Sequence, residues 1–385
     1  MLEQLLKIVR PPYHFFLQWI SALCTLFPAR RLVVVGVTGT KGKSTVSDMV
    51  YAILTHAGHS VALASTIRYV TPRSEVRNMH KMTMQGRGFI QRFLARALHE
   101  GATHAVVEIS SEGARQYRHR FLYLNALAVT NIHPEHIESH GSFEKYVAAK
   151  REIVRELERS TKRPRTLVVN GDNDHTKKFL TANVESKNTF TEGPPQDFNG
   201  ANARAAILLT SALGVPAHVA EQAIRTMPQV RGRAEEIREG QDFVAVVDYA
   251  HTAESLEAIY SAYPQRKICV LGNTGGGRDQ WKRPKMGAVA DTRCAEIILT
   301  NEDPYDEDPR AIVEAIARGM SRAPTIIMDR RMAIREALLR AQPGDAVIVT
   351  GKGTDPYIMG PRGEKTPWDD ATVVREELVS HLKRA

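Results

Sequence analysis

Three glycines, a lysine and two hydroxyl residues lie close together in "LVVVGVTGTKGKSTVSDMV", residues 32–50. Gly36, Gly39 and Gly42 permit turns that a Cβ would obstruct, and Lys43-Ser44-Thr45 opens an expected helix. Backbone N–H groups of such a turn, with a helix N-terminus behind them, form a cradle for anions. Here Gly39, Thr40, Lys41, Gly42 and Thr45 line the cradle, Lys43 reaches terminal phosphates, and the Ser44 hydroxyl ligates Mg2+. The usual phosphate-loop spacing demands a glycine where this chain has Val37, so the loop is of a variant kind. Glu108 follows the apolar run "HAVV", at the strand end where open α/β sheets place ligands.

Such residues need strands behind them and helices around them. Strand-like runs are expected at 31–36, 61–66, 104–109, 125–130 and 166–170, with helices at 43–57, 86–99, 142–158, 199–213 and 217–226. After "MPQVRGR" at 227–233 breaks the pattern, further strands are expected near 243–248, 267–271, 295–299, 325–328 and 346–349. These are short continuous apolar runs, as found where helices cover both sheet faces. With 385 residues, the chain reads as two α/β domains of doubly wound sheets, 31–230 and 231–385, preceded by an amphipathic, apolar helix over 1–30. The formal net charge of +9 favours anionic partners, but no aromatic-basic platform points to nucleic acid. The three cysteines, Cys24, Cys269 and Cys294, form no CxxC pair, so neither a disulfide nor a zinc ribbon is expected and a reducing cytosol fits.

The segment 1–30 is apolar over about sixteen residues, short of the roughly 20 that a spanning helix needs. His14, Gln18, Ser21 and Thr25 recur at steps of four, three and four, so a polar stripe should run along a greasy helix. Lys7 and Arg10 in front suggest a signal peptide, but Leu23 is too large for a lipoprotein cleavage site before Cys24. Packing on its own domain or a partner is expected for the helix, or a peripheral membrane contact through residues 11–27.

The loop "GVTGTKGKST" resembles that of the Mur ligases and folylpolyglutamate synthetases, ATP-dependent amide-bond ligases. The resemblance continues through "STI" (65–67), "EISSEG" (108–113), "TNIHPEHIESHGSFEKYVAAK" (130–150), "FNGANARAA" (198–206) and "RGR" (231–233). It extends further through "VDYAHTAESLE" (247–257), "GNTGGGRDQWKRPKMG" (272–287), "LTNEDPYDEDP" (299–309) and "GKGTDPY" (351–357). These stand in the order of the MurE branch, and the match covers about residues 32–385. It implies a phosphate-loop central domain and a Rossmann-like C-terminal domain. It also implies ATP and Mg2+ as cofactors, and addition of an amino acid to a muramyl-peptide cell-wall precursor through an acyl phosphate. A cytoplasmic monomer is expected, at the inner membrane face if residues 11–27 reach it.

By the same resemblance, Glu108, His136 and a carbamylated Lys150 support Mg2+, with Lys43 completing the catalytic set. Asn202 faces the adenine, Asp248 the ribose, Arg233 the phosphates, and His251, Lys282, Arg278 and Arg283 lie on the nucleotide side. Thr66, Thr83 and Ser110 fall near the acceptor, and Asp303, Tyr305, Gly351 and Asp355 near the incoming amino acid. Where enzymes using diaminopimelate carry the arginine of "DNPR", this chain has Tyr305, which cannot form the paired contact of a guanidinium with a carboxylate. The resemblance then leans to lysine, ornithine or another diamino acid, with Arg310 or Arg362 able to compensate. MurE enzymes also carry a uridine-nucleotide domain before the loop, where this chain has about thirty residues. The acceptor is thus expected on UDP or on a membrane lipid. Two other readings are a folylpolyglutamate-type ligase and a nucleotide-binding scaffold without catalysis.

Overall fold

The computed structural model describes residues 2–135, 137–277 and 279–382, with side chains from residue 11 on, Pro195 apart. The chain divides into two compact units, one of residues 1–193 and 198–228, the other of 194–197 and 229–385.

In the first unit an eight-stranded sheet has the order β4-β3-β2-β5-β1-β6-β7-β8. Its strands are β1 Val33–Thr38, β2 Val61–Ala64, β3 Arg68–Thr71, β4 Ser74–Arg77, β5 His104–Glu108, β6 Ala126–Val129, β7 Thr166–Asn170 and β8 Ser186–Phe190. Parallel pairing runs from β2 to β8, and β3 and β4 add an antiparallel edge. The helices are α1 Leu2–Cys24, α2 Lys43–His56, α3 Phe89–His99, α4 Ser111–Arg115, α5 Ile137–His140, α6 Phe143–Glu158, α7 Asp174–Lys177, α8 Phe198–Ser211 and α9 Ala217–Thr226. Both sheet faces are covered by apolar clusters. Val34 with Leu94 and Ile153 lies on one, and Val35, Val37, Ile53 and Leu209 on the other. Each of these fully buried side chains contributes about 1.5–3 kcal/mol relative to exposure.

The expected strand at 31–36 in fact starts and ends later. Val37 stays in β1, opposite Glu108 and Ala128, so the chain turns only at Gly39. Strand β3 and the edge strands β4 and β8 are not among the expected strands, because "RYVT", "SEVR" and "SKNTF" lack the continuous apolar runs of covered strands.

The second unit holds a six-stranded sheet in the order β13-β12-β11-β14-β10-β9 and a two-stranded ribbon, β15-β16. Its strands are β9 Glu235–Ile237, β10 Val244–Asp248, β11 Lys267–Leu271, β12 Glu296–Leu299, β13 Thr325–Ile326, β14 Ala346–Thr350, β15 Tyr357–Met359 and β16 Lys365–Pro367. Its helices are α10 Ala253–Ala262, α11 Arg283–Arg293, α12 Pro309–Ala317, α13 Arg330–Arg340 and α14 Asp370–Leu382. All strands of the larger sheet are parallel except β9.

Two expectations need correction. Cys269 in β11 and Cys294 just before β12 form a disulfide, with Cα atoms 6.1 Å apart. Twenty-five residues separate them in the chain, and only the pairing of β11 with β12 brings them together. The apolar helix spans Leu2–Cys24 instead of the whole of 1–30, because Leu26 and Phe27 turn into the left-handed region at φ 56° and 50°. Among the described residues no helix is long and apolar enough to cross a membrane.

Candidate active site

β1 delivers the glycine loop at the carboxyl edge of the first sheet. Gly39 has φ 149°, and a Cβ there would lie 1.8 Å from Thr130 Oγ1 at the end of β6. Gly42 precedes α2 at φ 79°, where a Cβ would meet Asn202 Oδ1 at 2.4 Å. The loop is therefore pressed between β6 and α8, and only glycine fits at either point. Its backbone is pinned from several sides. Thr40 N–H donates to Asn131 O at 2.9 Å and Lys41 N–H to Asn131 Oδ1 at 2.8 Å. His133 N–H donates to Thr40 Oγ1 at 2.9 Å, and Thr130 Oγ1 donates to Lys41 O at 2.5 Å. Thr40 Oγ1 also meets the Tyr146 hydroxyl at 2.8 Å. The half-buried Lys43 folds back over the loop, donating from Nζ to Thr40 O at 2.9 Å. Thr45 lies buried in the first turn of α2.

Glu108, at the end of the neighbouring β5, is buried and collects donors. Ser44 Oγ donates to its Oε2 at 3.1 Å and Thr66 N–H to the same oxygen at 2.8 Å. Thr66 Oγ1 donates to Oε1 at 3.0 Å and meets Thr83 Oγ1 at 2.8 Å. A carboxylate and hydroxyls thus converge beside the loop, the oxygen-rich donor set that a hard divalent cation takes. Ser110 instead caps α4, accepting from Gly113 N–H at 3.1 Å.

Lys150 enters from α6 beneath the loop. It is fully buried, its Nζ donating to Gly39 O at 2.7 Å and lying 4.8 Å from the Tyr146 ring centre. Burial, reinforced by the nearby charge of Lys43, holds its amine well below the usual lysine range, with Glu135 opposing the shift. Burial likewise pushes the Tyr146 hydroxyl up. His136 lies outside the described residues, as does Arg278. Asn202 sits on α8 directly against Gly42.

The second unit gathers its own cluster at the carboxyl ends of its strands. Asp248 closes β10, accepting from Ala234 N–H and Ala250 N–H at 2.7 Å each. The residue as a whole is half-buried, but its carboxyl lies deep, and that burial raises it above the usual range despite the Arg233 charge. Arg233 stacks 4.4 Å from the Tyr249 ring centre, and His251 Nδ1 lies 2.8 Å from Tyr249 O. Lys282 is buried, and Arg283 is committed to Glu307 at 2.6 Å instead of forming an open basic run.

Asp303 is held by donors of its own unit. Lys352 Nζ donates to its Oδ1 at 2.8 Å, as does Met359 N–H. The same Nζ lies 3.5 Å from Asp355 Oδ2. Gly351 has φ 108°, and a Cβ there would strike Glu302 Oε2 at 2.3 Å. Tyr305 takes φ 52°, with its ring about 3.5 Å from where a Cβ of Gly276 would be. Arg310 pairs with Glu314 at 3.1 Å on α12, and Arg362 N–H donates to Asp306 Oδ1 at 2.7 Å.

The sequence reading missed Thr130, Asn131 and Tyr146 as the supports of the loop. Their signal lay in plain sight, since "TN" and "EKYVAAK" both fall within the quoted run 130–150.

The chain is similar to known proteins along most of its length. Residues 37–213 match the Mur ligase middle domain, and residues 232–353 match the Mur ligase, glutamate ligase domain. The UDP-N-acetylmuramoyl-L-alanyl-D-glutamate–2,6-diaminopimelate ligase of Thermosynechococcus vestitus is 33% identical over 93% of this chain and 79% of its own length. The ligase of the same name from Aquifex aeolicus is 31% identical over 91% and 78%. A solved structure of such a diaminopimelate ligase superposes with a TM-score of 0.60 at 25% identity, covering 91% of this chain and 79% of that one. Folylpolyglutamate synthase of Mycobacterium tuberculosis, at 14% identity, shares the fold with a TM-score of 0.70 over 98% and 97%.

Proposed function

The chain belongs to the Mur ligase family, and we propose on that premise that it joins a diamino acid to a muramyl-peptide acceptor at the expense of ATP. The acceptor carboxylate attacks the γ-phosphorus, ADP leaves, and the resulting acyl phosphate is attacked by the amine, releasing phosphate. In this reading Lys43 and the loop amides neutralise the developing charge on the phosphoryl oxygens. Mg2+ would be held by Ser44 and Glu108, with His136 adding a ligand. When bound it neutralises phosphate charge. Lys150, drawn toward its neutral amine by burial, would add CO2 with loss of a proton, giving an anionic carbamate at the site. Thr66 and Thr83 orient the acceptor carboxylate beside Glu108. Asn202, Arg233, Asp248, His251 and Lys282 serve the nucleotide, and Tyr305, Gly351 and Asp355 the incoming amino acid. The acceptor is carried on uridine diphosphate or on a lipid. Dependence on ATP makes the cytoplasm the working compartment, and a monomer suffices for the reaction.

The convergence of Ser44 and Thr66 on the Glu108 carboxylate beside a phosphate loop carries this reading. A folylpolyglutamate substrate is disfavoured because the relatives above 30% identity are named for muramyl peptides. The test is ADP release from purified protein, screened with lysine, ornithine and diaminopimelate against muramyl dipeptides carried on UDP and on lipid. Release that needs both an amino acid and a muramyl acceptor is the expected result. Release with folate and glutamate instead, or none with any pair, sinks the proposal.

A further inference from the structure

Helix α1 sits on its unit the wrong way round for an ordinary surface helix. The polar stripe faces inward: Gln18 is buried, while His14, Ser21 and Thr25 are half-buried. Ser21 is so close to α3 that its Oγ lies 1.7 Å from where a Cβ of Gly88 would stand. The apolar side looks outward, with Leu26 83%, Tyr13 57% and Phe16 55% exposed, and Trp19, Ile20 and Leu23 exposed beside them. At 100° per residue, positions 13, 16, 19, 20 and 23 fall within one arc of about 120°. A helix facing water alone reverses this arrangement.

The charge around the face is one-sided. Residues 11–29 contain no charged side chain; the nearest charges in the chain are Lys7 and Arg10 before them, with Glu3 farther off, and Arg30 and Arg31 after them. Arg92 adds a further cation, its Nη1 3.4 Å from where a Cβ of Gly88 would stand beside Ser21, and Arg87 precedes that glycine. Arg30, Arg31, Arg87 and Arg92 are all exposed, and among the described residues none has a carboxylate within ion-pair distance. The helix is held in place: Phe15 packs edge-on to Tyr117 at 5.8 Å and tilted against Phe121 at 5.7 Å.

We propose that the outward face of α1 docks on a bilayer surface containing anionic lipids, with Phe16, Trp19 and Leu23 entering the headgroup–acyl boundary and the surrounding arginines meeting lipid phosphates. Amphipathic aromatic side chains favour that boundary, and an apolar face ringed by cations binds it by burial and charge together. Among the described residues no helix is long and apolar enough to cross a membrane, so the proposed contact is peripheral. None of the named relatives' functions requires it, and it stands or falls independently of the ligase reading.

The test is co-sedimentation of the full chain with phosphatidylcholine vesicles and with vesicles carrying one quarter phosphatidylglycerol. Binding to the anionic vesicles should exceed binding to the neutral ones by about tenfold or more and fall as salt rises. Phe16→Ser with Trp19→Ser and Leu23→Ser, and separately Arg31→Glu with Arg92→Glu, should each lower binding about tenfold or more. Unchanged circular dichroism spectra and melting temperatures in both variants verify that they are folded. Three results overturn the proposal: a parent protein that ignores both vesicles, a triple-serine variant that binds like the parent, or a face that dimerises in sedimentation velocity while staying off lipid.

Discussion

Glu108 accepts from Ser44 and Thr66 at once, so one carboxylate links the phosphate loop to the expected acceptor side of the site. Lys43 Nζ donates to the carbonyl of Thr40 in its own loop. Lys43→Ala should therefore leave the circular dichroism spectrum unchanged while lowering amino-acid-dependent ADP release about 100-fold or more. Lys150 makes a prediction with a sign. Its amine is depressed in the fold and binds protons normally when unfolded, so the unfolded chain holds the extra proton between the depressed value and about 10.5. Its contribution to stability rises with pH across that window and is lost as pH falls. Lys150→Met should flatten the rise of melting temperature between pH 7 and pH 9, whereas an unchanged slope would show that another group sets it. Tyr305 stands where diaminopimelate enzymes are expected to carry arginine. Tyr305→Arg should raise the rate with diaminopimelate relative to lysine by about tenfold, read as the ratio of kcat/KM values.

At the scale of elements, the loop works because β1, β6 and α8 leave it no room. Gly39→Ala should place a methyl group within 1.8 Å of Thr130 Oγ1 in a backbone region that favours glycine. The expected cost is about 1–3 kcal/mol of stability in urea denaturation, together with loss of the ATP-induced thermal shift. If ATP still shifts the variant's melting temperature as it does the parent's, the loop is not the nucleotide cradle. In the second unit, α13 and α14 are joined by the Arg330–Asp370 ion pair at 2.6 Å, both side chains buried. Arg330→Met strands the Asp370 charge and should cost about 3–5 kcal/mol. The same α/β alternation that made the helices legible concealed α4, α5 and α7, which have four or five residues each. A single turn is too short to establish a period.

At the scale of the whole molecule, each unit has its own sheet and its own apolar cluster. Calorimetry should resolve two transitions, and a nonhydrolysable ATP analogue that engages the loop should raise the one belonging to residues 1–193 and 198–228. The glycine-rich turn after β1 and the two covered sheets were legible from sequence, because glycine spacing and apolar runs are local properties of the chain. Three features were settled only by tertiary contacts. The period of α1 reveals a polar stripe, but which side meets the protein depends on Gly88 and Phe121, far along the chain. Cys269 and Cys294 become partners only when β11 and β12 pair. Asp303 reads as a ligand group until Lys352, forty-nine residues later, arrives buried beside it. Local sequence sets what each segment can form. Which side chain neutralises, covers or exposes another is decided where distant segments compete for the same buried space.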